Sequence, residues 1–248
     1  MSTPLPRPAT TDGLFLWVLH RFAEAFEEHA VLKGGIALRL FDCPRTTTDI
    51  DYVFIPFRSK NDIKARIERV LREIEGGDVV IATHSKMVRA TLRVDQAAIQ
   101  IEANVGMQCP TTAVPTAGFA TAQGQPSRIV RVMSLECALA NKLAAWNERR
   151  LLRDLYDAYF LSVRLGAAPD LVILDGRLRK IESRLPQLAK RNAMTRREFA
   201  AELLAALGDL NEKSVRNELA PVLPVAELLG LVPRLHSAIV RLAERLLE

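Results

Sequence analysis

The chain has 248 residues, of which 49% are apolar, and a formal net charge of +5, so it can bury a core without cross-links. The three cysteines are scattered, with no Cys-x-x-Cys pair and no nearby His, which excludes a zinc site or a disulfide framework and indicates a reducing compartment. Residues 1–13 lack the order of a signal peptide and no segment is apolar for long enough to span a bilayer, so we expect a cytoplasmic protein with no membrane partner.

The first third of the chain alternates between helix and strand patterns. Apolar residues recur every four positions from Leu14 to Phe26, which predicts a helix. A glycine pair at 34–35, an apolar run at 36–41 and an alternating run at 48–55 then predict a turn, a short helix and a strand.

The next segment predicts one helix and an antiparallel set of strands. Asn61 is a plausible cap for a helix that ends at Gly76-Gly77. The β-type runs at 78–83, 87–94 and 98–105 are separated by turn residues, which favours antiparallel neighbours. The mixed order predicts an α/β or α+β fold in which helices flank a mixed sheet.

The second half of the chain predicts helices. Residues 109–127 are rich in Pro, Thr, Ala and Gly and predict a loop or linker before a short strand at 128–132. Beyond it Ser134 is a plausible N-cap. The predicted helical segments are 135–146, 151–165 and 225–248. We therefore expect two domains, 1–132 and a mostly helical 133–248.

Positive charge is concentrated in one segment. Residues 128–197 contain fifteen Lys and Arg against seven Asp and Glu, so the rest of the chain is slightly acidic. Such a segment suits an enzyme that holds polyanions such as triphosphates or RNA. The alternative interpretation is a solvated helical surface.

The first chemical motif joins Lys33-Gly34-Gly35 to Asp49-Ile50-Asp51. Carboxylates at i and i+2 on a strand point to one face, so Asp49 and Asp51 can share divalent cations. A glycine pair that opens a helix lets phosphate oxygens approach free backbone N–H groups. One element can thus hold the metal and the other the phosphate, and phosphoryl transfer needs both. The alternative is an ordinary turn with two solvated acids.

The second motif lies in the helical half. At 100° per residue, Lys142, Arg149, Arg153 and Asp157 fall within roughly 80° of one another on a continuous helix. That face can grip phosphates while the acid orients a cation or base. The alternative is a surface salt-bridge network, which Arg153 and Asp157 fit well at i,i+4.

These residues resemble the nucleotidyltransferase superfamily that includes polymerase beta, and more closely the AbiEii/AbiGii toxin family. Position 36 is Ile where family members usually carry Thr or Ser, which removes a hydroxyl contact to phosphate and leaves the metal site unaffected. The matching residues form two blocks, namely Leu32-Lys33-Gly34-Gly35-Ile36-Ala37-Leu38-Arg39-Leu40 with Arg45 and Thr48-Asp49-Ile50-Asp51, and Glu136 with Lys142-Leu143, Ala145, Arg149 or Arg150 and Arg153-Asp154-Leu155-Tyr156-Asp157.

The resemblance implies a catalytic role for Asp49, Asp51, Lys142 and Asp157. The two aspartates near the glycine pair are expected to bind metal. Lys142 is assigned to the triphosphate, and Asp157 to the acceptor side or to positioning Lys142. The nucleotide-binding residues are expected to be Lys33, Gly34, Gly35, Arg39, Arg45 and Arg153.

The superfamily places a third metal-binding carboxylate on a later strand. Glu102 is the preferred candidate, because Ile101 and Ala103 are expected to face inward while Glu102 faces the cleft with Gln100. Asp95 is the alternative, although it lies in an expected hairpin turn, where Asp is common for local reasons.

The resemblance also implies a function. We expect a toxin of a toxin-antitoxin or abortive-infection system that uses Mg²⁺ (or Mn²⁺) to transfer a nucleoside monophosphate from an NTP to RNA. The expected acceptor is the 3′ end of tRNA, the expected protein partner is a cognate antitoxin, and domain 133–248 is expected to complete the active-site cleft. The alternatives are a small-molecule, antibiotic-type nucleotidyltransferase and a catalytically inactive nucleotide-binding module.

Overall fold

A computed structural model describes residues 7–183, 185–188 and 191–248. The prediction for the N-terminal segment at residues 1–6, and the contribution of Arg184 and Lys190 to the basic segment, lie outside the described residues. The chain divides into two compact units, Met1–Met133 and Ser134–Glu248. The catalytic role assigned to the first part and the cleft-completing role assigned to the second stay predictions.

The first unit is built on a seven-stranded mixed sheet. Its strands are β1 (Ala30–Lys33), β2 (Asp49–Phe54), β3 (Asp78–Thr83), β4 (Val88–Val94), β5 (Ala97–Val105), β6 (Thr111–Pro115) and β7 (Ile129–Met133). They lie in the order β3-β4-β5-β2-β1-β7-β6. The pairs β2/β5 and β1/β7 are parallel and the other neighbours are antiparallel. The mixed α/β prediction is confirmed, as is the antiparallel set β3-β4-β5.

The core of the first unit lies where helix α1 (Thr11–Phe26) packs on the sheet. Phe22 and Phe26 of α1 meet Tyr52 and Phe54 of β2 in one aromatic cluster, with ring centroids 4.8 to 6.0 Å apart. Burying each such ring contributes about 1.5–3 kcal/mol, which fixes the inward face of β2. The helices of this unit are α1 (Thr11–Phe26), α2 (Gly34–Arg39), α3 (Asn61–Leu71) and α4 (Ala117–Ala122).

Two local predictions in this unit are wrong. Helix α3 begins at Asn61, but its N-cap is Lys60 and the capping oxygen is Oγ of Ser59, which accepts the Asn61 N–H at 3.2 Å. The segment 109–127 is not a linker, because it contains β6 and α4. Strand β6 exists through its antiparallel pairing with β7, a non-local contact that composition cannot show.

The second unit is helical, as expected. Ser134 caps α5 by accepting the N–H of Cys137 at 3.3 Å, which confirms the predicted N-cap. The predicted tail helix is divided at Gly230, whose left-handed φ of 63° starts α11 anew. The helices are α5 (Leu135–Arg149), α6 (Leu152–Tyr159), α7 (Leu171–Leu178), α8 (Arg196–Ala205), α9 (Glu212–Leu219), α10 (Val225–Leu228) and α11 (Leu231–Arg245).

The continuous helix assumed for the second motif is also wrong. Arg150 adopts a left-handed conformation with φ 55° and ends α5, and a new helix, α6, starts at Leu152. A π-helical turn at Phe160–Arg164 then follows α6 directly. Of the helices in the described ranges, none combines the length and the apolar composition that a membrane crossing requires.

Candidate active site

The aspartates of the first motif lie at the start of strand β2. Asp49 and Asp51 are half-buried, whereas Ile50 between them is fully buried in the core. Because side chains alternate along a strand, the two carboxylates project from the face opposite the α1 core. The predicted same-face arrangement follows from this burial pattern.

The parallel pairing of β2 with β5 brings a third carboxylate to these aspartates. Asp49 is in register with Gln100 and Asp51 is in register with Glu102. Paired residues on neighbouring strands share a face, so Asp49, Asp51 and Glu102 project from the same side of the sheet. Ile101 and Ala103 are buried on the other side, as the sequence alternation predicts.

The alternative third carboxylate lies elsewhere. Asp95 occupies the β4–β5 turn with a positive φ of 52°, and its carboxylate pairs with Arg7 at 2.8 Å. Strand β5 separates Asp95 from Glu102 by seven residues, roughly 20 Å along an extended chain. The structure therefore brings Glu102, and not Asp95, to the side of Asp51.

Basic and amide groups contact two of these acids, Asp51 and Glu102. Nη2 of Arg89 donates to Oε1 of Glu102 at 2.8 Å, and Nε2 of Gln100 donates to the same oxygen at 3.0 Å. Nζ of Lys33 lies 3.5 Å from Oδ1 of Asp51, its register partner across β1/β2. Within the described ranges, no three or more His, Cys, Asp or Glu side chains are arranged as a metal site.

The glycine pair packs directly against this group. Gly34 has a φ of +74°, and a Cβ at this position would lie 2.2 Å from Oδ2 of Asp51. A Cβ on Gly35 would lie 2.8 Å from Nη2 of Arg45 and 3.0 Å from Cβ of Thr47. Both glycines are therefore required by close approach, and Gly34 also by its backbone conformation.

Two arginines predicted to bind nucleotide have different surroundings. Arg45 is buried, its guanidinium lies against Gly35, and Nη1 donates to the carbonyl of Thr46 at 3.2 Å. Arg39 instead donates two hydrogen bonds to Asp12, at 2.8 and 2.9 Å, and covers the ring of Phe119 at 4.5 Å. The structure thus places Arg39 with α1 and α4 rather than with the carboxylates of β2.

The second motif forms an ion cluster between α5 and α6 in which the two carboxylates are buried. Nζ of Lys142 lies 2.5 Å from Oδ2 of Asp157 and 3.6 Å from Oδ1 of Asp154. Arg149 donates to both oxygens of Asp154, at 2.7 and 2.8 Å from Nη2. Both carboxylates are buried, so their charges are compensated inside the protein. Arg153 lies on the exposed face of α6, and the structure does not bring it into this cluster.

Sequence reasoning did not foresee that Asp154 belongs to this ion cluster. It stands three positions before Asp157, so on α6 both acids lie on one face. The alternative interpretation, a surface pair of Arg153 with Asp157, does not hold, since Asp157 pairs with Lys142. The sequence did contain a signal for this pairing. Asp154 lies in an otherwise apolar helical stripe, and an acid at such a position is buried only when it is paired.

The sheet with its glycine turn and strand-borne Asp-x-Asp pair defines a nucleotidyltransferase fold. No curated protein matches the chain. JHP933 from Helicobacter pylori superposes with a TM-score of 0.54 and 16% identity, over 95% of this chain and 91% of that one. A candidate nucleotidyltransferase from H. pylori superposes with a TM-score of 0.56 and 16% identity, over 96% of each chain.

The family is shown by sequence. Residues 17–228 match the family model described as "Nucleotidyl transferase AbiEii toxin, Type IV TA system". The chain therefore belongs to the AbiEii nucleotidyltransferase family, which confirms the resemblance read from its two motif blocks and identifies the chain as a nucleotidyltransferase.

Proposed function

We propose that this protein is the toxin of a toxin-antitoxin system and acts in the cytoplasm by transferring a nucleoside monophosphate from an NTP to RNA. The expected acceptor is the 3′ end of tRNA, where an added nucleotide blocks aminoacylation. The observation that carries the proposal is the register of Asp51 with Glu102, beside a glycine whose absent side chain leaves room for Asp51. A cognate antitoxin is the expected protein partner.

The proposed reaction uses Mg²⁺ or Mn²⁺. The chemistry of the side chains suits such an ion, because Asp49, Asp51 and Glu102 offer hard carboxylate oxygens from one face of the sheet, although no three such side chains in the described ranges are arranged as a metal site. When bound, a divalent cation neutralises charge on the reacting phosphate oxygens and activates the incoming hydroxyl. In this proposal Asp49 and Asp51 hold the ion and Glu102 is the third ligand.

The triphosphate is proposed to lie at the glycine turn. Gly34 and Gly35 carry no side chain, so phosphate oxygens can reach the backbone between Lys33 and α2. Lys33 supplies a half-buried cation beside Asp51, and Arg45 supplies a guanidinium behind Gly35. We leave Arg39 out of this set, because its guanidinium is engaged by Asp12 and Phe119.

Lys142 and Asp157 are assigned to the same reaction on the family motif. Lys142 is proposed to contact the triphosphate, and Asp157 to fix the direction of its ammonium group through their ion pair. Asp154 orders the neighbouring cation Arg149 by accepting three hydrogen bonds from it and thereby supports the cluster. Arg153 remains a proposed contact for the phosphates from the exposed face of α6.

The acceptor is proposed to be RNA because of charge. Residues 128–197 carry a net positive charge, and this excess attracts a phosphate backbone. A small cationic antibiotic as acceptor would require acidic walls instead. RNA is therefore the acceptor class that the composition of the helical half favours.

The experiment is transfer of label from each of the four α-labelled NTPs to total RNA in the presence of Mg²⁺. We expect label on tRNA with the wild-type protein, none with Asp49→Ala, and undiminished labelling with the matched variant Asp95→Asn. RNA whose 3′ hydroxyls have been oxidised with periodate is expected to take no label.

Three outcomes contradict this proposal. Label confined to protein would indicate modification of the chain itself or of an antitoxin. Label on an added aminoglycoside, but not on RNA, would indicate a small-molecule nucleotidyltransferase. Triphosphate bound without any transfer would indicate an inactive binding module.

A further inference from the structure

Strand β3 forms one edge of the sheet, and its outer side is not paired by any strand in the described ranges. In natural proteins, proline, lysine or a bulge in an edge strand prevents it from pairing with another chain, because its unpaired backbone groups are otherwise a template for another strand. Strand β3 reads Asp-Val-Val-Ile-Ala-Thr and has none of these devices. The opposite edge strand, β6, ends in Pro115.

The backbone groups that β3 turns outward can be identified from its hairpin with β4. The N–H of His84 donates to the carbonyl of Met87 at 2.8 Å, and the register continues from Thr83 opposite Val88. Hydrogen-bonded and non-hydrogen-bonded pairs alternate along an antiparallel ladder. The N–H and C=O groups of Val79, Ile81 and Thr83 therefore point away from β4, toward the edge.

We propose that β3 pairs antiparallel with β3 of a second copy of this chain. The register that uses every outward group is centred on Ile81, with Val79 of each copy opposite Thr83 of the other. Each of these three residue pairs exchanges two hydrogen bonds across the two-fold axis. The two sheets then continue into one another.

This register is also complementary in side chains, which is why a second copy fits the edge. It places Val80, which is 59% exposed, opposite the exposed Ala82 of the second copy on the same face. It also places Asp78 opposite His84 of the second copy at both ends of the pairing. Within its own chain Asp78 faces Arg93 on β4, so the carboxylate would lie between two basic groups.

The pairing is tested by sedimentation equilibrium of the full chain over about 1 to 100 µM, because a short edge interface is weak. We expect the mass to rise from that of one chain, 27.6 kDa, toward twice that value. In parallel, hydrogen exchange at the amides of Val79, Ile81 and Thr83 is expected to slow with increasing protein concentration, while the amides bonded to β4 do not change.

Two kinds of variant separate pairing from folding. Ile81→Pro removes an outward N–H that β4 does not use, so we expect at least tenfold weaker association with an unchanged circular dichroism spectrum. His84→Glu opposes Asp78 with a like charge and is expected to weaken association, whereas His84→Lys is expected to maintain or strengthen it. A wild-type chain that stays monomeric at the highest concentration overturns the proposal, as does a dimer that is indifferent to all three substitutions.

Discussion

A Cβ on Gly34 would lie 2.2 Å from Oδ2 of Asp51, well inside any permitted non-bonded distance. The relationship links the glycine turn to the proposed metal-binding carboxylate through direct contact. It explains why the glycine pair and the Asp-x-Asp pair of the first chemical motif have to occur together. A residue with a side chain at position 34 displaces either the turn or the carboxylate.

Gly34→Ala is therefore expected to reduce nucleotidyl transfer by at least about 100-fold, equivalent to about 2.7 kcal/mol of transition-state stabilisation. The positive φ of Gly34 adds backbone strain to the steric clash. Transfer of label at saturating NTP measures the effect. Gly118→Ala in α4 is the matched control, because its Cβ meets only ordinary contact at 3.9 Å, and it should leave transfer unchanged.

Two conservative substitutions decide whether Glu102 or Asp95 supplies the third carboxylate. Glu102→Gln removes a charge in register with Asp51 and is expected to lower kcat by about 10²-fold or more, as loss of electrostatic stabilisation commonly does. Asp95→Asn removes a turn carboxylate paired with Arg7 and is expected to leave kcat within about twofold, since exposed ion pairs contribute little. The reverse ranking of the two kcat values would assign the role to Asp95.

The ion cluster around Lys142 is expected to contribute to the free energy of unfolding. Lys142→Met leaves the buried carboxylate of Asp157 without its cation and is expected to cost about 3–5 kcal/mol of unfolding free energy. The double variant Lys142→Met/Asp157→Leu removes both charges and should recover most of that loss. Urea unfolding measures both quantities.

Activity then separates a structural role from a catalytic one. If Lys142 contacts the triphosphate, the stable double variant stays inactive and its affinity for NTP falls. If the pair only holds α5 against α6, the double variant regains transfer together with stability.

His20 makes the stability of the first unit depend on pH. The imidazole is buried, Nε2 lies 2.8 Å from Oγ1 of Thr116, and that hydroxyl also accepts the N–H of Arg128. Which of Nε2 and the Thr116 hydroxyl donates in this hydrogen bond depends on the tautomer of the imidazole. Burial, with a smaller contribution from the charge of Arg128, lowers the pKa of His20 from 6.5 to about 4.

The sign of the effect follows from linkage. Because the folded state binds its proton only near pH 4 and the unfolded state binds it near 6.5, stability falls as pH decreases between these values. The loss due to this residue reaches up to about 3 kcal/mol at the acid end and is absent above about pH 7. His20→Gln is expected to flatten the dependence of the unfolding free energy on pH in this window. An unchanged slope would show that other groups cause it.

Much of the site could be predicted because it is local. The alternation in Asp49-Ile50-Asp51 predicts which side chains are buried. The same rule applied to residues 99–103 selects Glu102 as the third carboxylate on that face. The contact between β2 and β5 is not local, so their register could not be read from the sequence.

Other features were hidden for the same reason. The partners of Arg39 are Asp12 and Phe119, which lie 27 and 80 residues away along the chain, so these contacts were not foreseeable. The left-handed conformation of Arg150 breaks the presumed continuous helix. This break could not be predicted, because arginine carries no sequence signal for that conformation. Lys142 and Asp157 nevertheless meet, since α5 and α6 pack side by side.

The central claim is that Asp49 and Asp51 jointly hold a divalent ion. The most direct measurement is Mn²⁺ binding by electron paramagnetic resonance, in the presence of a non-hydrolysable NTP analogue, for the wild type, Asp49→Asn/Asp51→Asn and Asp95→Asn. The account predicts that the double variant binds protein-associated Mn²⁺ at least about 100-fold more weakly, whereas Asp95→Asn matches the wild type. Equal Mn²⁺ affinity of the double variant and the wild type would contradict it.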